Sequence, residues 1–176
     1  HPTWFAKQNI DVVDLLMTEL DGVERPVTVQ SFDLAPLCRL RQRTAIPLVF
    51  LASAEGGPAD VGLTYRQMLA PDALPAVQRC ADGLGVDLRL VLDEAGNSTG
   101  LIESAHEAGL TVHGWTVRAE NAFLPALLKS PDGPAAHGNV EALLVQLFDA
   151  GIDGVFADQP GIAVGARDEW AAARAR

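Results

Sequence analysis

The regular alternation of apolar, β-branched runs with segments of helical spacing constrains the fold of this chain more than any other sequence feature. The runs predict strands at 27–30, 46–51, 86–92, 111–117 and 155–157. Helices are predicted at 10–20, 33–40, 71–81, 99–108, 119–128 and 139–150 and from Pro160 onward, with long loops at 52–69 and 129–137. A strand followed by a helix about five times predicts parallel strands joined by right-handed crossovers, and therefore an α/β fold.

The stretch at 111–120, T-V-H-G-W-T-V-R-A-E, lies at the centre of this pattern. Trp115 stands near the carboxyl end of the predicted strand, where α/β folds place their chemistry. His113 precedes it on the same strand, and alternation places both side chains on one face of the sheet. His113 is therefore the histidine that we expect nearest to a site.

Composition and charge exclude some classes of partner. Apolar residues make up 48% of the 176 residues, which is enough for a sizeable core, and the formal net charge is −10. So acidic a chain is not expected to have nucleic acid as its main partner. No apolar run approaches the ~20 residues of a membrane-spanning helix, so no span is expected.

Few local motifs carry chemistry of their own. Cys38 and Cys80 stand in helix-like contexts without C-x-x-C spacing, which predicts two thiols without a role. The sequence contains no G-x-G-x-x-G after a strand, no P-loop, no G-x-S-x-G and no metal-site spacing of His, Cys or carboxylates. Gly83 and Gly85 are interpreted as a turn before a strand. Asp82, Asp87, Asp93 and Glu94 are interpreted as solvated carboxylates and not as paired ligands.

Four segments carry a resemblance to a known family. They are V-Q-S-F-D at 29–33, A-D-G-L-G at 81–85, A-H-E-A-G-L-T-V-H-G-W-T-V-R-A-E-N-A-F-L-P at 105–125 and A-G-I-D-G-V-F-A-D-Q-P at 150–160. In this order they resemble the carboxyl-terminal half of a glycerophosphodiester phosphodiesterase of the longer secreted or periplasmic bacterial type. The resemblance implies that 1–176 is the C-terminal part of a single domain, a (β/α)8 TIM-type barrel whose N-terminal half is absent from this chain.

The resemblance also implies a chemistry. Enzymes of this family are expected to hydrolyse glycerophosphodiesters to glycerol 3-phosphate and an alcohol, with a divalent metal, Ca²⁺ or Mg²⁺, and a pair of histidines as general acid and base. The family's H-R-G, acidic metal pair, second histidine and E-x-K do not occur in this sequence, and its first residues, H-P, resemble those that directly follow the E-x-K. We therefore expect no catalytic residue in this chain, and both the catalytic groups and the metal ligands upstream of His1.

Half of a barrel leaves strand edges unpaired and lacks the opposite wall. The expected partners are therefore the missing N-terminal half and a small-molecule glycerophosphodiester, with homodimerisation through the exposed sheet edges as a second route. Alone, the chain is expected to be inactive and to aggregate. The resemblance to the longer bacterial branch implies a secreted or periplasmic location, with a cytoplasmic one left open.

Residues at the carboxyl ends of barrel strands face the active site. On this basis, and on the resemblance, the residues predicted to bind substrate are Gln30, Ser31, Phe32, Trp115, Arg118 and Phe156. The amphipathic indole of Trp115 suits a glycerol moiety, and the Arg118 guanidinium suits a phosphate oxygen.

Structural interpretations stand beside these functional ones. The aromatic rings could pack in a core, and Arg118 could pair with Glu120. Glu120 and Asn121 could either cap a helix or hold the rim of the site. Asp158 could cap the last helix. For the whole protein the alternatives are a non-catalytic binding or scaffold module on the same barrel, and a related phospholipase D-like phosphodiesterase that releases a cyclic phosphate.

Overall fold

Parallel strands form a single sheet in the computed structural model of this chain, which describes residues 2–175. The strands are β1 (Val29–Ser31), β2 (Leu48–Ala52), β3 (Gly83–Asp87), β4 (Thr111–Val117) and β5 (Gly154–Ala157), and they lie side by side in chain order. Every neighbouring pair is parallel. The predicted α/β fold, with about five parallel strands alternating with helices, is confirmed.

Helices precede, connect and follow the strands. They are α1 (Pro2–Lys7), α2 (Val12–Glu19), α3 (Leu34–Arg41), α4 (Tyr65–Met68), α5 (Leu74–Gln78), α6 (Leu101–Glu107), α7 (Val140–Asp149) and α8 (Pro160–Arg174), with 3-10 turns at Leu88–Leu90, Asn121–Phe123 and Ala126–Leu128. The long loop predicted after β2 contains the short helix α4. Within residues 2–175, no helix combines the length and the apolar character needed to span a bilayer.

The hydrophobic core lies between one face of the sheet and the helices. Phe50 of β2, Leu84 of β3 and Val112 of β4 are paired in register and completely buried. The helices contribute further fully buried side chains to the same cluster: Leu37, Leu74, Ile102, Leu144 and Leu147. Burial of each such side chain stabilises the fold by about 1.5–3 kcal/mol, so this face joins the sheet to its helices.

Within residues 2–175, the helices that form this core do not cover the opposite face of the sheet. Leu51, Gly85, His113 and Gly154 form one row of this face, paired across β2 to β5. Phe156 follows Gly154 on the same face and is 44% exposed. In a closed barrel this face would be the interior. Within residues 2–175 the edge strands β1 and β5 do not pair with each other, and the face is open.

The third strand is present, but the bounds predicted for it, 86–92, are wrong. Strand β3 begins at Gly83 and ends at Asp87, and Leu88–Leu90 form a 3-10 turn. The two glycines interpreted as a turn lie inside β3. Glycine is required at both positions because neighbouring side chains occupy the space where a Cβ would stand. A Cβ at Gly83 would lie 2.3 Å from Thr111 Oγ1, and one at Gly85 would lie 2.5 Å from Leu51 Cδ2.

The prediction of a helix at 119–128 is also wrong, because two 3-10 turns occupy this segment. Pro125 separates the turns and has no N–H with which to continue an α-helix. The Asn121 N–H donates to the Ala136 carbonyl at 2.7 Å, and the Ala122 N–H donates to the Pro134 carbonyl at 2.9 Å. The segment therefore pairs with the loop that follows it instead of coiling on itself.

The helices begin in different ways. Asn139 caps α7 by accepting the Ala142 N–H at 3.1 Å. Helix α6 begins after Gly100, whose φ of 84° suits glycine, and the Ser98 hydroxyl accepts the Gly100 N–H. Gln159, and not Asp158, occupies the cap position of α8.

The two cysteines form a disulfide, so the prediction of two thiols without a role is wrong. Cys38 of α3 and Cys80, which follows α5, are bonded across a sequence separation of 42 residues. Their spacing gave no sign of this, because the contact depends on how the helices pack beside β1 and β2. The bond closes a loop that contains β2, α4 and α5.

Candidate functional site

A cavity of about 350 Å³ opens at the carboxyl end of the sheet. It is lined by Gln30, Phe32, Leu51, Trp115, Thr116, Phe156, Ala157 and Asp158, which come from β1, β2, β4 and β5 and the residues directly after them. Among them are four of the six residues predicted to bind substrate, namely Gln30, Phe32, Trp115 and Phe156. Parallel strands bring these side chains together because all their carboxyl ends lie at one edge.

Aromatic rings form the walls of this cavity. The Phe32 ring stands edge-on to Trp115, with centroids 5.9 Å apart and planes at 88°, and is itself 44% exposed. The Tyr65 hydroxyl donates to the Phe32 carbonyl at 3.4 Å, which anchors the turn after β1. Such rings offer apolar faces suited to the carbon side of a polyol or to a choline-like group.

Trp115 supplies a hydrogen-bond donor as well as an apolar ring. Its Nε1 is buried and has no partner among the described residues. Its Cδ1 lies 3.8 Å from the position that a Cβ would take on Gly85, so the glycine makes room for the indole. The pairing of β4 with β5 shifts between Gly114 and Val117, and the peptide bond from Trp115 to Thr116 is cis. A buried indole N–H usually has a partner, so this donor is available to a ligand or a water.

Gln30 and Ser31 differ in what they can do. Gln30 is exposed on the cavity side of β1, and its amide makes no hydrogen bond to any residue of the range 2–175. The Ser31 hydroxyl accepts the Asp33 N–H at 3.0 Å, and Ser31 does not line the cavity. Gln30 can therefore present both a donor and an acceptor to a ligand, whereas Ser31 shapes the turn.

Arg118 does not line the cavity, but it contacts Asp158, which does, and it also contacts Phe123. Its Nε donates to Asp158 Oδ2 at 2.7 Å, and its guanidinium carbon lies 4.5 Å from the centre of the Phe123 ring. The alternative of pairing with Glu120 is wrong, and Asp158 is engaged here and not at the helix cap. Within the described part of the chain, the two Nη groups have no hydrogen-bond partner, so they remain able to bind an anion.

Glu120 and Asn121 hold the rim, which was one of the two interpretations left open for them. Gln159 donates to Glu120 Oε1 at 3.2 Å and accepts the Ala119 N–H at 3.2 Å, which ties the segment after β4 to the start of α8. Asn121 is only 3% exposed. Its Nδ2 donates to Ser130 Oγ at 2.9 Å, and its Oδ1 accepts the Ser130 N–H at 2.9 Å.

An acidic residue at the end of β3 was not recognised in the sequence as part of the rim. Asp87 accepts from Arg89 Nη2 at 2.8 Å and from the Arg89 backbone N–H at 2.9 Å, so the interpretation of a solvated carboxylate is wrong. Partial burial acts to raise the pKa of Asp87, but the hydrogen bonds and charge of Arg89 outweigh it and leave the pKa below its ordinary value of 3.8.

The Asp87–Arg89 pair predicts a measurable dependence of stability on pH. The ionised carboxylate stabilises the folded state fully above the unfolded-state pKa near 3.8, and this contribution is lost as the pH falls through the lower folded-state pKa. In the complete natural polypeptide, Asp87→Asn is expected to lower the free energy of unfolding by about 1 kcal/mol at neutral pH, and by much less at about pH 3. Urea unfolding at both pH values measures this.

The exposed Asp72→Asn is the matched control for this experiment, and at neutral pH it is expected to leave the free energy of unfolding nearly unchanged. A deficit for Asp87→Asn that is equally large at both pH values would contradict the role given to the ionised carboxylate.

The described residues do not assemble a metal centre. Across residues 2–175 there is no group of three or more His, Cys, Asp or Glu side chains placed to hold an ion. His113 packs on Gly154 and stands edge-on to Phe156 at 6.4 Å, below the cavity and not on its lining. His106 Nε2 lies 2.8 Å from Asp153 Oδ2, at the opposite end of the sheet.

Three solved structures share this fold. A protein from Agrobacterium tumefaciens str. C58 named as a glycerophosphoryl diester phosphodiesterase has a TM-score of 0.57 and 21% identity, over 89% of this chain and 51% of its own. One of the same name from Silicibacter pomeroyi DSS-3 has a TM-score of 0.59 and 21% identity, and the match covers 88% of this chain and 42% of that protein. A glycerophosphodiester phosphodiesterase from Parabacteroides distasonis ATCC 8503 has a TM-score of 0.57 and 14% identity, and the match covers 97% of this chain and 54% of that protein.

The chain thus spans about half the length of these solved structures. The resemblance that the sequence motifs indicated is confirmed by a match of residues 3–162 to the model of the Glycerophosphoryl diester phosphodiesterase family. Because this match covers most of the residues, the chain belongs to the glycerophosphoryl diester phosphodiesterase family.

Proposed function

We propose that this chain is the carboxyl-terminal part of an enzyme that hydrolyses glycerophosphodiesters to glycerol 3-phosphate and an alcohol. In this proposal the described residues supply one wall of the substrate pocket and half of the barrel's core. The family membership and the open sheet face support it, since such a face requires an opposite wall.

The observation that carries the proposal is the cavity at the carboxyl end of the sheet. Gln30, Trp115 and Phe156 come from three different strands and converge on it, at the barrel end where chemistry is placed. A polar amide, an indole with an unpartnered N–H and apolar rings together suit a small polyol that carries a charged group.

Each residue has a distinct proposed role. Trp115 packs against the carbon face of the glycerol moiety, and its N–H donates to a ligand oxygen. Gln30 hydrogen-bonds a hydroxyl group. Arg118, held by Asp158 and Phe123, directs its Nη groups toward a phosphate oxygen. Phe32 and Phe156 exclude water from the two sides of the pocket.

We place the catalytic groups outside the described residues. The side chains in 2–175 do not fit a Ca²⁺ or Mg²⁺ site, because such ions take six or more oxygen ligands and these residues form no acidic cluster. The proposal therefore assigns the metal carboxylates, and the histidines that act as general acid and base, to sequence that precedes residue 1 in the complete polypeptide.

The N-terminal half of the barrel is the proposed partner of this chain. Strands β1 and β5 are the edges of the sheet, and exposed edges invite pairing with another strand. Homodimerisation through the same edges is the alternative route to cover them.

We also propose an oxidising compartment, secreted or periplasmic, for the protein. The Cys38–Cys80 disulfide supports this location, since disulfides persist where thiols are not kept reduced. Alkylation of the protein isolated from its natural source, with and without reductant, measures whether the two cysteines are bonded there.

Release of glycerol 3-phosphate tests the proposed activity. The complete natural polypeptide is expected to hydrolyse glycerophosphocholine, measured with a coupled glycerol 3-phosphate dehydrogenase assay, whereas the 176-residue chain alone is expected to be inactive. The matched control is the chain mixed with a separately expressed N-terminal half, which should regain activity. Turnover by the chain on its own would contradict the proposal that the catalytic groups lie outside the described residues.

A binding or scaffold module is the second candidate, favoured by the lack of a metal-binding group within 2–175. It predicts that the complete polypeptide binds glycerophosphocholine in calorimetry without hydrolysing it. Turnover in the coupled assay rejects this candidate.

A further inference from the structure

Two segments that are far apart in the sequence exchange carboxylate hydrogen bonds beside the cavity. Asp33 occupies the N-cap position of α3, but its carboxylate is used elsewhere. Its Oδ1 accepts the Ala59 N–H at 2.6 Å, in the loop between β2 and α4. In return, Asp60 Oδ2 of that loop accepts the Ala35 N–H at 2.6 Å, in the first turn of α3. We call these two reciprocal bonds the clasp.

The clasp gives α3 its cap from a distant part of the chain. A carboxylate that accepts a backbone N–H at a helix start stabilises that start, and such charge-assisted bonds are short and strong. Asp60 Oδ1, the oxygen outside the clasp, is also buried, so this carboxylate points into the junction between the two segments. The start of α3 therefore depends on the position of the loop.

The loop that carries one half of the clasp is closed on itself. The Tyr65 N–H donates to the Gly56 carbonyl at 3.0 Å. A Cβ at Gly57 would lie 2.1 Å from the Leu63 carbonyl oxygen, so the two ends of the loop approach as closely as only glycine permits. Thr64 then begins α4 with a capping box. A loop held in this way is a firm point of attachment for α3.

The clasp adjoins the turn that carries Phe32. The Asp33 N–H donates to the Ser31 hydroxyl at 3.0 Å, across Phe32. The Phe32 carbonyl accepts the Tyr65 hydroxyl, and the two rings have centroids 6.2 Å apart. Burial raises the pKa of Tyr65, and the carboxylates of Asp33 and Asp60 raise it further, so the hydroxyl keeps the proton that it donates. Phe32 is therefore held from the helix side and from the loop side.

We propose that Asp33 and Asp60 are positioning residues of the substrate pocket, which act through Phe32. The clasp holds the Phe32 ring edge-on to Trp115, so that this aromatic wall is in place before substrate binds. A preformed wall improves affinity, because less loop and side-chain freedom is lost on binding. The inference rests on the proposed function and adds to that site two residues outside the lining of the described cavity.

A double-mutant cycle in the complete polypeptide tests the inference. Phe32→Ala is expected to raise KM for glycerophosphocholine by about tenfold and Asp60→Ala by about fivefold, each with kcat changed by less than about twofold. Because Asp60 acts through Phe32, the double variant should have the KM of Phe32→Ala alone. Effects that multiply in the double variant, or an unchanged KM in Asp60→Ala, would overturn the inference.

Two further variants separate positioning from a general loss of stability. Asp60→Asn keeps an oxygen that can accept the Ala35 N–H, so its KM should stay close to that of the parent. Asn139→Ala removes the side-chain cap of α7, outside the cavity lining, and is the matched control. It should lower the urea midpoint about as much as Asp60→Ala does and leave KM unchanged. An equal rise in KM for Asn139→Ala would show that any lost cap has this effect, and would contradict the inference.

Amide hydrogen exchange separates failure of the inference from failure of the proposed function. The measured group is the Asp33 N–H, which donates to the Ser31 hydroxyl and not to Asp60. It should exchange about tenfold faster in Asp60→Ala than in the parent, and at the parent's rate in Asn139→Ala.

If glycerophosphocholine is not hydrolysed, the proposed function is wrong, and this exchange rate alone decides about the clasp. Faster exchange in Asp60→Ala then supports the clasp as the device that holds the turn of Phe32. Equal rates in Asp60→Ala and the parent contradict it, whether or not the substrate is hydrolysed.

Discussion

Loss of the Cys38–Cys80 disulfide is expected to lower the free energy of unfolding of the complete polypeptide by about 4 kcal/mol. The bond closes a loop with a sequence separation of 42 residues, and it restricts the unfolded chain over that length. Because domains have only about 5–15 kcal/mol of net stability, a change of this size is large. Urea unfolding of the Cys38→Ser, Cys80→Ser double variant against the parent measures it.

Reductant provides the control for this prediction. Dithiothreitol should lower the urea midpoint of the parent toward that of the double variant and leave the double variant unchanged. Parent protein that unfolds at the same midpoint with and without reductant, after its thiols are shown to be free, would contradict a stabilising role for the bond.

Replacement of Trp115 by Ala is expected to lower kcat/KM for glycerophosphocholine by roughly 10- to 100-fold, equivalent to about 1.4–2.7 kcal/mol of transition-state stabilisation. The change removes both an apolar wall and the indole N–H that the described residues contribute to the cavity lining. Steady-state kinetics of the complete polypeptide measure it.

Two variants separate the functions of this side chain. Trp115→Phe keeps an aromatic wall but lacks the N–H, so its loss relative to the parent measures the contribution of the donor. Thr111→Ala, at the exposed amino end of the same strand, is the control for a general effect on β4. Unchanged kcat/KM in a well-folded Trp115→Ala protein would remove Trp115 from the site.

The sequence was most informative where one physical rule decides the outcome. A continuous apolar run indicated the buried strand at Leu48–Ala52, and β-branched residues indicated the strand at Thr111–Val117; both were predicted almost to the residue. The bounds of β3 were not predicted, because Gly83 and Gly85 resemble a turn in the sequence. Only the structure shows that the side chains of Thr111 and Leu51 lie where a Cβ would stand at these positions.

The residues of the candidate site were also predicted correctly where one general rule applies, and not where distant contacts decide. The rule that strand ends meet at one edge brought Gln30, Phe32, Trp115 and Phe156 together, and the structure places all four on one cavity. Ser31 and Arg118 do not line it. Ser31 bonds to the Asp33 N–H because of the local turn geometry, and Arg118 bonds to the Asp158 carboxylate across distant segments. The spacing of residues in the sequence reveals neither contact.

Contacts between distant segments also explain what was missed. The disulfide joins helices whose proximity depends on packing, and the Asp87–Arg89 pair depends on the 3-10 turn after β3. The two 3-10 turns after β4 were missed because the sequence predicted a helix at 119–128. The turns follow from the buried Asn121, which bonds to the facing loop, and from Pro125, which separates them.

Phosphorus-31 NMR of the complete polypeptide incubated with glycerophosphocholine tests the central claim most directly. The account predicts that the phosphodiester resonance is replaced by that of glycerol 3-phosphate, a phosphate monoester, as water is consumed. A cyclic phosphate product would contradict hydrolysis and assign the protein to phospholipase D-like chemistry. An unchanged spectrum, from polypeptide that binds the substrate, would contradict the claim that this pocket belongs to an enzyme.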